Sequence, residues 1–260
     1  MFPCLFITAN KGNVSPPKDL NTFPFDHPSI VVFTSGSTGK PKALVHSFSA
    51  VMLQLIKENA LQYGLSKKDR YLYYTNTSWN MWYWNIAALA LGCNVFIYDG
   101  SPYHNQGNLL LRIADENNLN VLGISPPYID KLDSIYRSVD YAPPNLNSLR
   151  VILSTGSTLT KGHFIKIKRL IKPDVRVSSI SGGTDIMTCF VSGCEVLPVE
   201  IGRIQCPSLG MDVRVRNDKN VVIMEDDFNF IKDINLVHKK ITQFIENFPN
   251  WDYVDFYFSH

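Results

Sequence analysis

The 260-residue sequence is short of charge. Lys and Arg number 25 and Asp and Glu 23, only 18% of the chain together, and the net charge is +2. The basic residues are scattered rather than massed into a stripe, so nucleic acid is not an expected partner. Cysteine is scarce too. The five are Cys4, Cys93, Cys189, Cys194 and Cys206, an odd number with no CxxC pair. That spacing suits neither a disulfide framework nor a zinc site. It points to reduced thiols and a cytoplasmic protein. The opening MFPCLFITANKG lacks a basic n-region and a small-residue cleavage site, which argues against a secretory signal. One uncharged stretch, MWYWNIAALALGCNVFIY at 81–98, has the length of a membrane span. Gly92, Cys93 and Asn94 interrupt it, residues 81–91 suit a helix, and VFIY at 95–98 is β-branched and aromatic. A buried helix followed by a buried strand is the better reading. No internal repeat or low-complexity tract is present, and nothing bears on oligomeric state.

What is present is 45% hydrophobic residues, enough for a sizeable core. Residues 1–28, rich in Pro, Asn and Lys, read as an irregular lead-in. From 29 the chain alternates. IVVF (30–33) is a continuous apolar run of the kind found in a sheet covered on both faces. A helix is predicted over 48–62, ended by Gly64, then a strand at 71–75. Further helices are expected at 109–117, 126–137 and 161–171. Strands are expected at 121–124, 151–154 and 175–180. This pattern predicts an α/β fold with a parallel-rich sheet and crossover helices. After Asp185 the short segments TCFVSG, IGRIQC, MDVRVRN and VVIME predict a small antiparallel β unit. One domain is expected over 29–225. Residues 226–260 then carry a helix, DINLVHKKITQFIENF, and an aromatic tail.

The run FTSGSTGKPKALVH at 33–46 packs hydroxyls, glycines and lysines directly after IVVF. Backbone N–H groups freed by glycine, hydroxyls and ammonium groups are all anion donors. The Walker pattern GxxxxGK[ST] does not fit, because Gly36 and Gly39 stand only three apart and Pro41 follows Lys40. A surface turn would explain a shorter match. The ordered run Thr34-Ser35-Gly36-Ser37-Thr38-Gly39-Lys40-Pro41-Lys42, however, is similar to the phosphate loop of the AMP-forming, acyl-adenylating superfamily, with Ala43 where many members have Gly. TNTSWNMWYWNIAALALGCNVFIYDGSP, GISPPYI, LRVILSTGSTLT, SISGGTDI and VEIGRIQCPSLGMDV follow in order. Through WNMWYW, YDGSP and SGGTDI the chain resembles, within that superfamily, the acetoacetyl-CoA synthetases. The likeness runs from about Phe25 to Val215.

The resemblance implies an ATP-dependent acid–thiol ligase that converts acetoacetate, ATP and CoA to acetoacetyl-CoA through an acyl-adenylate. It implies that Thr34, Ser35, Gly36, Ser37, Thr38, Gly39 and Lys42 hold the β- and γ-phosphates. Thr184 would contact the α-phosphate and Asp185 would hold Mg²⁺, an oxygen-seeking cation. Thr184, Asp185 and Lys42 are then the catalytic candidates. Gly156, Ser157 and Thr158 match the adenine-side loop, although an N-cap for the next helix would also explain them. Trp79, Met81 and Trp82 match the segment that shapes the acyl pocket, with Trp79 nearest the substrate; an aromatic helix is otherwise core. FPNWDYVDF echoes a family stretch and would set Asp255 at the ribose hydroxyls. None of the six histidines, His46 included, has a partner that the sequence identifies. The family's N-terminal region, its hinge motif and the lysine of its small C-terminal domain have no counterpart here. The expectation is weak binding of ATP·Mg²⁺ and slow or no turnover. Two readings stay open: the ligase, and a non-catalytic remnant that binds nucleotide or a partner protein.

Overall fold

The computed structural model describes residues 22–34, 41–104, 107–137, 144–217 and 220–223. The predicted helix at 233–248 and Asp255 lie outside them. The chain forms two compact units, residues 1–213 and 214–260. The first opens with β1 (Pro28–Phe33), β2 (Ala43–Ser47) and α1 (Phe48–Lys57), which runs into a π-helical stretch, Glu58–Gln62. Alternation follows through β3 (Arg70–Tyr73), α2 (Trp82–Ala90), β4 (Asn94–Val95), α3 (Leu109–Glu116) and β5 (Val121–Gly123). It continues with α4 (Pro126–Tyr136), β6 (Val151–Ser154), α5 (Lys161–Leu170) and β7 (Arg176–Ser179). Short strands β8 (Ser181–Gly183), β9 (Thr188–Ser192) and β10 (Cys206–Pro207) come next. In the second unit β11 (Val213–Asn217), which begins at the boundary, pairs with β12 (Asn220–Ile223).

Strands β3 to β7 make one parallel sheet in the order β4-β3-β5-β6-β7. Its period-two alternation feeds two cores. Leu72, Leu122, Ile152 and Val177 pack with the apolar faces of α3, α4 and α5. Tyr71, Tyr73, Val121, Val151 and Leu153 pack on the opposite face with α1 and α2. The strand order explains the division. The crossover from β3 to β4 moves one way along the sheet and those from β4 onward move the other. Right-handed connections then put their helices on opposite faces. A fully buried Leu or Ile is worth about 1.5–3 kcal/mol, against about 0–1 kcal/mol for an exposed ion pair. The two cores therefore hold the sheet together. Helix starts follow local chemistry. The Ser47 hydroxyl caps α1 by accepting from the Ala50 N–H at 3.2 Å, and Pro126-Pro127 open α4.

Two expectations need correction. IVVF is not in the parallel sheet. It forms, as β1, an antiparallel two-stranded ladder with β2, with Ile30 opposite His46 and Val32 opposite Leu44. Only alternate residues turn inward: Ile30 is buried, while Val31 and Phe33 are 56% and 66% exposed. The nine residues between Phe33 and Ala43 can close a hairpin, which a crossover to a parallel neighbour cannot match. VFIY also yields less strand than predicted, since β4 stops at Val95. Beyond Val95, the backbone of Tyr73 is satisfied by a side chain. Its N–H donates to Asn85 Oδ1 and its carbonyl accepts from Asn85 Nδ2, both at 3.1 Å. The Asn85 amide thus stands in for the next rung of β4. The small antiparallel unit is present as β10-β9-β8.

Charge is concentrated at two joints. At the N-terminal edge of the sheet, Arg150 Nε meets Asp69 Oδ1 at 3.2 Å, and its other nitrogens reach Tyr63 O (3.0 Å), Gly64 O (3.2 Å) and Glu195 Oε1 (3.3 Å). Between α4 and α5, Asp133 is 5% exposed and contacts Arg137 (2.9 Å), Lys166 (3.4 Å) and Arg169. Burial pushes the Asp133 carboxyl up, but Arg137 and Lys166 outweigh it and hold the group below the ordinary carboxylate range.

Arg150→Ala is expected to lower unfolding free energy by about 2 kcal/mol, because it removes hydrogen bonds made by a charged donor. Arg150→Lys should recover less than half, since one ammonium cannot replace the planar fork. Urea denaturation measures both. The Asp133 contribution has a defined pH sign. It is complete above the ordinary value of 3.8 and is lost as pH falls through the lower folded value. Asp133→Asn should therefore flatten the loss of stability below about pH 4, read from melting curves across pH 2–7.

Candidate functional site

In a parallel sheet the C-terminal strand edge, where crossovers diverge to the two faces, leaves a crevice for ligands. Here that point lies between β3 and β5. The segment after β3 carries Trp79, Met81 and Trp82. Trp79 and Trp82 are half-buried, whereas Met81 is 3% exposed and belongs to the α1–α2 core with Trp84. The loop after β6 carries Gly156, Ser157 and Thr158, all exposed. These two segments meet. A Cβ on Gly156 would lie 3.2 Å from Cη2 of the Trp79 indole, and Gly156 has φ +96°. The capping role open to residues 156–158 falls elsewhere. Thr160 caps α5 and its N–H donates to His163 Nδ1 at 3.0 Å. The three loop residues are thus left without a capping duty.

The Ser/Thr/Gly run stands in sequence between the paired strands β1 and β2. The Thr34 N–H donates to the Lys42 carbonyl at 3.0 Å, so the loop's two ends are fixed together. Thr34 is buried and Lys42 exposed. Ser35, Gly36, Ser37, Thr38 and Gly39 lie outside the described residues. Thr184 and Asp185 sit on the four-residue turn joining β8 to β9, Thr184 half-buried and Asp185 exposed. The turn's close approach depends on Gly182, where a Cβ would fall 1.9 Å from the Thr188 carbonyl oxygen. The hairpin and the turn are linked by a residue that sequence reasoning missed. His46 Nε2 donates to the Thr184 carbonyl at 3.1 Å, across 138 residues of chain. The available signal was the alternation in β2, which puts His46 on the inward face with Leu44 and opposite buried Ile30.

Behind the turn lies a buried polar layer. Glu58 is fully buried. Burial pushes its carboxyl up against the opposing effects of Thr188, Lys57 and Cys189, and neither oxygen completes a hydrogen bond of normal geometry. Gln62 donates to Ser192 Oγ at 2.6 Å and accepts from the Leu209 N–H at 3.3 Å, tying the π-helical stretch to the antiparallel unit. A π-helical stretch often marks a functional region. Cys93 and Cys189 are buried and free; burial raises Cys93 to about 11 and Cys189 well above its ordinary value. Such thiols are poor nucleophiles. Among the described residues no three His, Cys, Asp or Glu side chains gather to hold a metal. The exposed Asp185 offers a single carboxylate. That donor set fits Mg²⁺, which takes one or two carboxylates and fills its shell with water and phosphate oxygens.

Residues 5–226 match the family described as AMP-binding enzyme. The chain is 43% identical over 199 residues to an acetoacetyl-coenzyme A synthetase of Rhizobium meliloti (strain 1021), covering 75% of this chain and 30% of the relative. It is 38% identical over 214 residues to an acetoacetyl-CoA synthetase of Gallus gallus, covering 82% and 32%. The solved structure of acetoacetyl-CoA synthetase from Streptomyces lividans superposes with a TM-score of 0.65 at 32% identity, over 79% of this chain and 32% of that one. The chain thus spans about a third of the length of the curated relatives it matches. No helix among the described residues is long and apolar enough to cross a membrane. With the ordered phosphate-loop run, the parallel sheet and a match over residues 5–226, the chain belongs to the AMP-binding enzyme family.

Proposed function

We propose that the chain is the nucleotide-binding part of an ATP-dependent acid–thiol ligase acting on acetoacetate, a step of ketone-body and lipid metabolism in the cytoplasm. The single observation that carries the reading is the identity of 33–43% to acetoacetyl-CoA synthetases across three quarters or more of the chain. In the proposed reaction a carboxylate oxygen of acetoacetate attacks the α-phosphorus of ATP and the bond to pyrophosphate breaks. The CoA thiol then attacks the acyl carbon and AMP leaves. Charge builds on the phosphoryl oxygens in the first step, so positioned donors supply most of the acceleration.

The roles proposed are those that the family resemblance implies, and the residue types are chemically suited to them. Thr34, Ser35, Gly36, Ser37, Thr38, Gly39 and Lys42 hold the β- and γ-phosphates through backbone N–H, hydroxyl and ammonium donors. Thr184 donates to the α-phosphate. Asp185 would hold Mg²⁺, which when bound neutralises charge on the triphosphate. Gly156, Ser157 and Thr158 flank the adenine, with the absent Gly156 side chain leaving room beside Trp79. Trp79 and Trp82 line the acyl pocket, and Met81 backs them from the core. Asp255 is assigned to the ribose hydroxyls. Acetoacetate, ATP and CoA are the proposed small-molecule partners.

Calorimetry of the 260-residue chain with ATP and Mg²⁺ tests the nucleotide site. Saturable binding at millimolar ATP or below is expected. Asp185→Ala should weaken it about tenfold or more when Mg²⁺ is present, with little effect when it is absent. Acetoacetate-dependent release of AMP and pyrophosphate, followed in the same preparation, tests the ligase reading. In active protein, Thr184→Ala should lower the rate on the order of a hundredfold. No ATP binding even at millimolar concentration would defeat the proposal.

A further inference from the structure

The phosphate-loop hairpin and the Thr184–Asp185 turn are distant in sequence, and chemistry at a triphosphate needs them in register. Misplacement of about 1 Å can cost a hundredfold in such reactions. The turn is a demanding piece of backbone. Met187 at its exit has φ +55°, a left-handed conformation that is uncommon for a residue with a flexible side chain. Backbone of this kind persists where the surroundings over-determine it. The exit is secured by the core: Met187 is 1% exposed and Cys189 fully buried. The entry is met by His46, whose ring reaches the Thr184 carbonyl at 3.1 Å.

We propose that His46 is a positioning residue: it fixes the Thr184–Asp185 peptide plane and so locks the turn to the phosphate-loop hairpin. The inference rests on the reading of this turn as part of the nucleotide site. Three observations support it. First, a carbonyl acceptor requires His46 to donate, so its Nε2 carries the proton. Second, in a trans peptide the C=O and the following N–H point in opposite directions. Holding the Thr184 carbonyl toward β2 therefore turns the Asp185 N–H away from β2 and sets the direction in which residue 185 leaves the plane. Third, His46 lies only four residues beyond Lys42 on a strand whose register pairs it with Ile30 and Leu44 with Val32, so its ring is carried by the same hairpin strands as Thr34 and Lys42. Neither Thr184 nor Asp185 needs to touch His46 through its own side chain for this to operate. The histidine acts through the backbone, which is why side-chain motifs do not reveal it.

The test compares His46→Ala with His46→Gln, whose amide N–H can still donate to the Thr184 carbonyl. Amide hydrogen exchange of the nucleotide-free protein is read at residues 184–186, with β5 and β6 as internal controls of the fold. Calorimetry with ATP and Mg²⁺ is read in parallel. His46→Ala should speed exchange at 184–186 about tenfold while β5 and β6 stay protected. It should also weaken ATP·Mg²⁺ binding about five- to tenfold, the loss of one net hydrogen bond. His46→Gln should restore most of both. Unchanged exchange in His46→Ala overturns the proposal, as does a Gln variant no better than Ala. If the unsubstituted protein itself fails to bind ATP·Mg²⁺, the nucleotide reading falls, while the exchange measurement still decides whether His46 holds the turn.

Discussion

Burial of both faces of one parallel sheet is the constraint on which the rest of the molecule depends. The central strands send alternate side chains into two different cores, so both faces are mainly apolar, with buried hydroxyls at Ser154, Ser178 and Ser179. The helices then have to cover both faces, and the strand order divides them between the two. That division opens the sheet at its C-terminal edge between β3 and β5. The segment with Trp79 and the loop with Gly156 come into contact there because they leave neighbouring parts of that edge. The approach of these two segments is thus a consequence of strand order and packing.

Polar groups inside the first unit act mainly as spacers and ties. Asn85 completes the ladder of β3 where β4 ends. Gln62 joins the π-helical stretch to the antiparallel unit. Glu58, wholly buried beside Thr188 and Cys189, has its carboxyl pushed up by that burial. Glu58 and Gln62 lie against β9, whose turn from β8 carries Thr184 and the solvent-facing Asp185.

Charge is used sparingly, and where it occurs it adds ties between neighbouring elements of the scaffold. Arg150 reaches carbonyls and carboxylates from three separate segments at the edge away from the crevice. Asp133 joins α4 to α5. The Arg150 joint lies at the N-terminal edge of the sheet, where β6 begins.

The sequence by itself determined the parallel sheet, because apolar runs such as VILS and YLYY admit few other environments, and helices 109–117, 126–137 and 161–171 carry their own periodicity. The Thr34–Lys42 run and SGGTDI were legible as a family resemblance, and the family match over residues 5–226 bears that resemblance out. The tertiary structure alone decided three things. IVVF had the composition of a central strand, yet only its pairing with β2 revealed that Val31 and Phe33 face outward. The Asn85 amide shortened β4, a substitution of side chain for backbone that no local pattern announces. His46 acquired a partner 138 residues away through a backbone carbonyl. Every residue but one kind of terminus carries the same carbonyl, so such an acceptor has no sequence signature. Only the approach of β2 to the 184–187 turn could select it.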